Sequence, residues 1–591
     1  MSKRSARVVP AVPTFSVDKG FWYSIPEHLD ELIKPGIIVR VPLSGRRTRG
    51  FVVETGPPKE GLKEIAAVSS EVPSFDAQLF RSLSWASHHY VAPLSVLLER
   101  AAPPNLPAKS SPSPPWVSES AKPGTHSLAG VISGIAVQPR RPPLAIIGPW
   151  QELDWIPPLR EVLASGRSVM IVASTVTEAT YVAEGAGDLG MAATLAAGDS
   201  AKELTMAWSD CQTPARLLVG TPRVATWPVS ALGLAVILEE GRRAMKDRQT
   251  PTLHVREVIS TRAKVEGFTV AFLGPTPSVE TLAAGPEVIN ASGRAWPLVE
   301  VVDRREEQPG SGPLAERSIA AIRATTASGG RTFVFTHRRV SESSMRCARC
   351  RHIRVCSRCG SKIGREDTCR RCGHPSGPCE ACGGTKFEAM ASPPERLVAE
   401  LNRRVERDSA AMTPTSRPVE VGTERDLAAL RPADLVVVAD TDGLLLGHDY
   451  RTGEEALRIL ARVANSLRPG RGRRMMVQTS MPDSSLVVTL RRGDPQPYLE
   501  AQLADRARQG FPPAVEMMAI ETRGDVDPSA IDAELRSLGD QTVMGPANSS
   551  QGSRWLAQGS LGKMKTSLRP VVQRWRDGGI TVRIDSDPID L

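Results

Sequence analysis

Apolar residues along the chain fall into three patterns. Between residues 8 and 68 they form short runs (VVPAVPTF, FWYSIPE, GIIVRVPL, TRGFVVET) broken by proline and glycine, which predicts strands joined by turns. Over residues 75–100 the apolar positions take helical spacing, which predicts a closing helix. From 143 to about 302 the runs LAIIG, SVMIVAS, ARLLVGT, LAVILEE and TVAFLG alternate with helical segments such as 156–165 and 176–186. That alternation predicts a parallel sheet with helices packed on it. A second unit of the same kind spans about 313–490, with RTFVFTH, ADLVVVAD and RRMMVQT as its strands. The last part carries MMAIET, a helix around 528–538 and a terminal strand ITVRIDSDP, the pattern of a small α+β domain.

Between the first two patterns, residues 103–142 are rich in proline, serine and glycine and read as a linker. The expected domains are therefore 1–102, a linker over 103–142, α/β units at 143–312 and 313–490, and a C-terminal domain at 491–591. A cysteine-rich module at 346–384 interrupts the second α/β unit.

Composition narrows the class. The 591 residues are 41% hydrophobic and 24% charged, ordinary for globular domains. No run approaches the ~18 apolar residues of a membrane helix, and the basic N-terminus lacks an apolar signal core, so the cytoplasm is the expected compartment. A net charge of +9 favours a polyanionic partner, with a merely basic enzyme as the alternative. In that compartment paired cysteines are metal ligands more often than disulfides.

Eight of the nine cysteines lie between Cys347 and Cys382 as four Cys-x-x-Cys pairs: Cys347/Cys350, Cys356/Cys359, Cys369/Cys372 and Cys379/Cys382. Two intervening residues let a tight turn aim two thiolates at one ion, and two such pairs complete a tetrahedral site. Eight ligands predict two zinc ions with no position left open for water, so the sites are expected to be structural. With little apolar material in the segment, metal must supply much of its folding free energy. The module is also basic, with Arg346, Arg349, Arg351, Arg354, Arg358, Lys362, Arg365, Arg370 and Arg371 suited to phosphate or an acidic protein surface, or offsetting thiolate charge. Cys211 stands apart and is expected to be a buried, inert thiol.

An eight-cysteine insertion in the second of two α/β lobes resembles the primosomal replication-restart helicase family PriA, also called primosomal protein N′. Other segments agree in order: VPAVPTF…FWYSIPE and IIVRVPLSGRRTRGFVV, SWASHHYVAPLSVLLERAAPP, LLVGTPRV, LEEGRRAMKDRQTPTLHVREV, AFLGPTPSVET, YLEAQLADRARQGFPPAVEM and VRIDSDPIDL. The resemblance covers nearly the whole chain. It implies two RecA-like helicase lobes flanked by an N-terminal DNA-binding domain, with affinity for a strand's 3′ end, and a C-terminal α+β domain. The family's winged helix would fall in the linker, where it looks reduced or missing. By resemblance, Cys347, Cys350, Cys379 and Cys382 share one zinc, and Cys356, Cys359, Cys369 and Cys372 the other. Spacing alone leaves that pairing open.

The ATPase motifs depart from the family. A phosphate-binding loop needs Gly-x-x-x-x-Gly-Lys-Ser/Thr after a strand: backbone amides cradle phosphate, lysine neutralises it and the hydroxyl holds Mg²⁺. Here LAIIG leads into Gly148-Pro149-Trp150-Gln151-Glu152-Leu153-Asp154-Trp155, with Asp154 at the lysine position and Trp155 at the hydroxyl position. The family's Asp-Glu-Glu-His becomes Leu238-Glu239-Glu240-Gly241, where Glu239 and Glu240 are a remnant or simply polar residues at a strand end. VGTERDLAALRPADLVVV lacks the Gln-Met…Lys-Gly segment, and ARVANSLRPGRGRR, with Arg468, Arg471, Arg473 and Arg474, is offset from the arginine-finger motif. Gly559-Ser-Leu-Gly562-Lys563 mimics a phosphate loop, but its glycines are too close together. Four altered motifs predict degenerate lobes that do not hydrolyse ATP and have no catalytic or nucleotide-binding residue.

For the N-terminal domain the resemblance implies a pocket for a 3′ end at Phe21, Trp22, Ser44, Gly45 and Lys63, with Phe21 stacking on a base and Lys63 meeting phosphate. Core packing is the competing role for Phe21 and Trp22. The family has Asp at the Trp22 position and Phe-Gly at Leu43-Ser44, so strict 3′-hydroxyl recognition is not implied. Arg46, Arg47 and Arg49 form a basic turn suited to backbone phosphate. The expected role is recognition of abandoned or stalled forks and reloading of the replicative helicase, together with restart-primosome proteins or a helicase loader. The alternatives are an active ATP-dependent 3′-to-5′ helicase with unusual motifs and a zinc-ribbon adaptor for protein partners.

Overall fold

A computed structural model of the chain describes residues 4–107, 131–132, 134, 142–290, 296–308, 312–337, 345–350, 352–358, 363–364, 366–369, 373–389, 394–413, 415–427, 430–445, 447, 449–468, 473–524, 527–549 and 552–589. Most of the expected linker, and Arg351, Cys359, Lys362, Arg365, Arg370, Arg371, Cys372 and Arg471, lie outside the described residues. The chain separates into two compact units, residues 1–291 with 506–591, and residues 292–505. Among the described residues no helix is long and apolar enough to cross a membrane.

The first unit begins with an antiparallel sheet of β1 (Ser5–Pro10), β2 (Phe21–Ser24), β3 (Ile38–Leu43), β4 (Arg46–Gly56) and β5 (Ala67–Ser70), in the order β2-β1-β4-β3-β5. Its inner face is the cluster of Val8, Tyr23, Val39, Val41 and Val52. The expected single helix over 75–100 is two, α1 (Ala77–His89) and α2 (Leu94–Ala101). Val91 turns left-handed at φ +47 and Pro93 follows, and the ring of a proline drives the residue before it out of the helical region. Asp76 caps α1 by accepting from the backbone N–H of Gln78 and Leu79.

Next comes a wholly parallel seven-stranded sheet: β6 (Leu144–Ile147), β7 (Ser168–Val172), β8 (Ala193–Ala196), β9 (Leu217–Gly220), β10 (Leu232–Leu238), β11 (Thr269–Gly274) and β12 (Glu287–Asn290), ordered β12-β6-β11-β10-β7-β9-β8. β7 and β11 are buried at every residue, which is why their sequences read as unbroken apolar runs. The edge strands β8 and β12 carry polar or exposed residues and gave no such run. One sheet face packs Met170, Leu218, Ile237 and Phe272 into a core shared with Phe51, Phe75 and Leu97 of the N-terminal elements. The other packs Ile171, Val219 and Leu273 against Trp150, Trp155 and Ile156.

The second unit holds a wholly parallel six-stranded sheet of β13 (Leu298–Asp303), β14 (Thr332–Phe335), β17 (Ala410–Met412), β18 (Val419–Gly422), β19 (Leu435–Val438) and β20 (Arg474–Thr479), ordered β13-β20-β19-β14-β18-β17. The cysteine module leaves this sheet after β14 through the small hairpin of β15 (Met345–Cys347) and β16 (Phe387–Ala389). The architecture is mixed α/β with parallel sheets, a cysteine module and a β-rich N-terminal domain.

The first unit closes with the antiparallel sheet β22 (Thr542–Ser549), β23 (Gly552–Gly559), β21 (Glu516–Arg523) and β24 (Thr581–Ser586), backed by the helix Gly562–Asp577.

Candidate metal centre, nucleotide pocket and nucleic-acid interface

The β15–β16 pairing sets the base of the cysteine module. Arg346 stands opposite Glu388 and bonds it at 2.8 Å, and Cys347 stands opposite Phe387. The N–H of Cys347 donates to the carbonyl of His352, that of Cys379 to Gly384 and that of Cys369 to His374, each at 2.8 Å. Three of the four pairs thus open with the same turn, although Cys372 is outside the described residues. Gly373 and Gly383 both take φ +69 at the matching position, a left-handed conformation that favours glycine.

The Sγ atoms of Cys347, Cys350, Cys379 and Cys382 all lie within 4.8 Å of one another. Cys347 Sγ is 3.5 Å from Cys382 Sγ, and Cys350 Sγ is 3.6 Å from Cys379 Sγ. Zn–S bonds of about 2.3 Å in a tetrahedron give sulfur–sulfur edges of about 3.8 Å. These separations fit that figure and are far too long for a disulfide. The Arg349 N–H donates to Cys347 Sγ at 3.4 Å. The backbone N–H of Cys350, first among several donors, holds the Cys347 thiol down to about 7. For Cys350 the His352 N–H pulls the same way, but the neighbouring thiols of Cys382, Cys379 and Cys347, with burial, push it up to about 12. Four thiols this close do not ionise together unless a cation shares their charge. This is a cysteine cluster able to hold a metal ion. Of the inner set, Cys356 and Cys369 are both buried against Ile363.

In the first lobe the segment at the expected phosphate-loop position packs inward. After β6 the chain turns through Trp150–Glu152 with Leu153 at φ +56, burying Trp150 and Trp155. The Trp155 indole N–H donates to the Trp150 carbonyl at 2.8 Å, and the Trp150 indole N–H to Glu239 Oε1 at 2.8 Å. Glu239 sits just past β10 at φ +51. Arg242 bonds Glu178 Oε1 at 2.6 Å and lies 3.6 Å from Glu239 Oε2. Glu240 Oε1 accepts from the N–H of Ser278 and from Thr281 Oγ1, at 2.8 and 2.6 Å. Asp154 is exposed. The ends of β6 and β10 thus gather a buried indole, the buried carboxylates of Glu178, Glu239 and Glu240, and the Arg242 guanidinium, which bonds Glu178 and lies near Glu239.

The remaining sequence candidates divide. Arg468 pairs with Asp434 at 3.2 Å and Arg474 with Glu300 at 3.7 Å. At the glycine-rich start of the C-terminal helix, Glu516 accepts from the Leu561 N–H at 3.0 Å, so a carboxylate occupies the place of a phosphate. Cys211 is fully buried, and burial pushes its thiol well above the ordinary range.

On the N-terminal sheet Phe21 opens β2 with its ring 42% exposed. Strand alternation sends Trp22 to the opposite face, where Lys59 Nζ stands 3.3 Å from its ring centroid. The Lys63 carbonyl accepts from the Ser24 N–H at 3.0 Å, which lays the 59–65 segment along β2. Ser44 and Gly45, at φ +48 and +79, make the tight turn between β3 and β4, two strands away from β2. Arg46 and Arg47 follow it, exposed. Sequence reading missed Lys59, which lies in a glycine- and proline-rich loop, and Arg40, which is hidden in an apolar strand and stands directly across from Arg49.

Residues 7–103 match the family described as the 3′ DNA-binding domain (3′BD) of PriA. The chain is 25% identical over 583 residues to the replication restart protein PriA of Treponema pallidum, covering 88% of this chain and 87% of the relative. It is 27% identical to the probable replication restart protein PriA of Deinococcus radiodurans, covering 66% of this chain but only 48% of that relative. Over most of its length the chain is similar to replication restart proteins named PriA. Among solved structures, RecG bound to a three-way DNA junction superposes with a TM-score of 0.36 at 10% identity, over 64% of this chain and 47% of that one. This chain thus combines a matched 3′ DNA-binding domain, a cysteine cluster able to hold a metal, and a first parallel-sheet lobe in which Trp150 is buried and bonded to Glu239.

Proposed function

We propose that this chain is a replication-restart protein that binds DNA at abandoned or stalled forks and promotes reloading of the replicative helicase without hydrolysing ATP. The observation that carries the non-motor reading is the Trp150–Glu239 hydrogen bond inside the first lobe. A motor must admit triphosphate and Mg²⁺ there, and the buried indole denies both the volume and the positive charge. The matched 3′ DNA-binding domain and the restart relatives support the DNA-binding role. In this reading Phe21, Gly45, Arg46, Arg47 and Lys63 meet the DNA, at a fork or a single-strand/duplex junction. Two structural zinc ions hold the cysteine module as a surface for primosome proteins and the helicase or its loader.

The test uses the purified full chain. Binding of forked and plain duplex DNA is measured beside ATP hydrolysis, with and without fork. Fork preference that weakens steeply with salt, with no DNA-stimulated hydrolysis, is expected. Robust stimulated hydrolysis would overturn the non-motor reading, and no preference for forks would overturn the restart reading. Partner capture that persists in high salt without DNA binding would favour the adaptor role.

A further inference from the structure

The hairpin of β3 and β4 carries a cationic ladder. Arg40 stands opposite Arg49 and Pro42 opposite Arg47, so Arg40, Arg47 and Arg49 share one face of the sheet. Like charges directly across an antiparallel pair repel. Among the described residues none of the three side chains makes a hydrogen bond or ion pair, and Glu99 acts on Arg49 only through its charge. Nearby arginines behave differently, with Arg7 bound to Glu54 at 2.8 Å and Arg100 to Asp247 at 2.5 Å.

The ladder runs into a cleft. Arg49 lines one wall of a cavity of about 660 Å³, the C-terminal end of α2 with Glu99 and Arg100 lines another, and Asp199, Arg223 and Asp247 from the parallel-sheet lobe line the far side. All these residues belong to the first compact unit. Asp247 is neutralised by Arg100, and Glu99 lies within the field of Arg49. Arg223, just past β9, is exposed and its guanidinium makes no hydrogen bond or ion pair among the described residues. Glu99 and Asp199 also line the cleft, so its charge is mixed, but Arg40, Arg47, Arg49 and Arg223 form a row of guanidinium groups with no hydrogen bond or ion pair among the described residues. The aromatic groups of the cleft, Phe51 and Trp227, are each only 1% exposed and offer no face for a base to stack on. A ligand here is held by its phosphates.

We infer that this row is a single-strand track: phosphates of one DNA strand bridge the β3–β4 hairpin and the first lobe through the cleft. The size supports one strand, since the cavity is that of a small-ligand pocket, about 300–1,000 Å³, and not of a duplex. The inference rests on the DNA-binding reading proposed above and adds Arg40, Arg49 and Arg223 to the contact, with the lobe serving as a static phosphate rail.

The test measures anisotropy of a fluorescein-labelled thymidine 20-mer bound to the full chain across a salt series. The variants are Arg40→Gln, Arg49→Gln and Arg223→Gln, with Arg523→Gln, an exposed arginine of the C-terminal sheet, as control. Each cleft variant is expected to weaken binding several-fold at low salt. Each is also expected to flatten the slope of log K against log salt by about 0.7, the value for one lost phosphate contact on a single strand. R523Q should leave both unchanged. Melting temperatures should hold, or rise for R40Q and R49Q as repulsion is relieved. If the parent chain binds and the three variants keep its affinity and slope, this inference fails alone. If the parent chain does not bind the oligonucleotide at all, the DNA-binding reading falls with it.

Discussion

The Trp150 indole donates its N–H to Glu239 with both side chains buried, so each residue satisfies a polar atom of the other inside the first lobe. One residue comes from the end of the first strand of the lobe and the other from the end of its central strand. They close on each other.

The plug should be structural. Trp150→Ala removes a buried indole, expected to cost about 3–5 kcal/mol, and leaves Glu239 short of a donor. Calorimetry should show a clear fall in melting temperature, and ATP with Mg²⁺ should not restore it. A variant melting like the parent would place Trp150 outside the core.

The two cysteine sets should lose metal separately. Cys379→Ser is expected to lower zinc from two per chain to one, and Cys356→Ser to remove the other, as read by elemental analysis after dialysis. Either variant losing both ions would mean that the sets do not form independent sites. Chelation should unfold the module, because its side chains bury little apolar surface without metal.

Asp587 predicts a pH dependence. Burial acts to raise its carboxyl, but the hydrogen bond from His89 at 2.6 Å, with the charges of His89, Lys565 and Lys246, holds it well below the carboxylate range. A depressed carboxyl contributes stability that is present above its unfolded pKa of about 4 and is lost as pH falls below that toward the folded value. Thermal melts from pH 6 to pH 3 should show a drop in the acid limb that is smaller in Asp587→Asn.

Cys211 should be silent. Fully buried and with its thiol pushed up by burial, it is expected to resist alkylation in the native chain while the metal protects the module cysteines. Labelling of Cys211 at the rate of a free thiol would contradict its burial.

Much of this was legible in the chain itself. Buried parallel strands such as β7 and β11 announce themselves because both faces must be apolar. The Cys-x-x-Cys spacing announces a cluster able to hold metal, because a tight turn aims both thiols at one point. The departure from the family's phosphate-loop pattern can be read from Asp154 and Trp155. Yet the residue bonded to Glu239 is Trp150, and Asp154 at the lysine position is exposed while Trp155 beside it is buried. That depends on packing, which no local pattern records.

The sequence determined the apolar cores, the thiol pairs and the basic balance, since each follows from residue type and spacing along the chain. The tertiary structure alone decided which distant groups meet. It brought the sulfurs of Cys347 and Cys382, 35 residues apart, to 3.5 Å. It set Glu239 beneath Trp150, and it aligned Arg40 with Arg49, which lines a cleft. Register and chain crossing fix such meetings, and both arise only when the whole fold minimises its buried, unpaired polar groups.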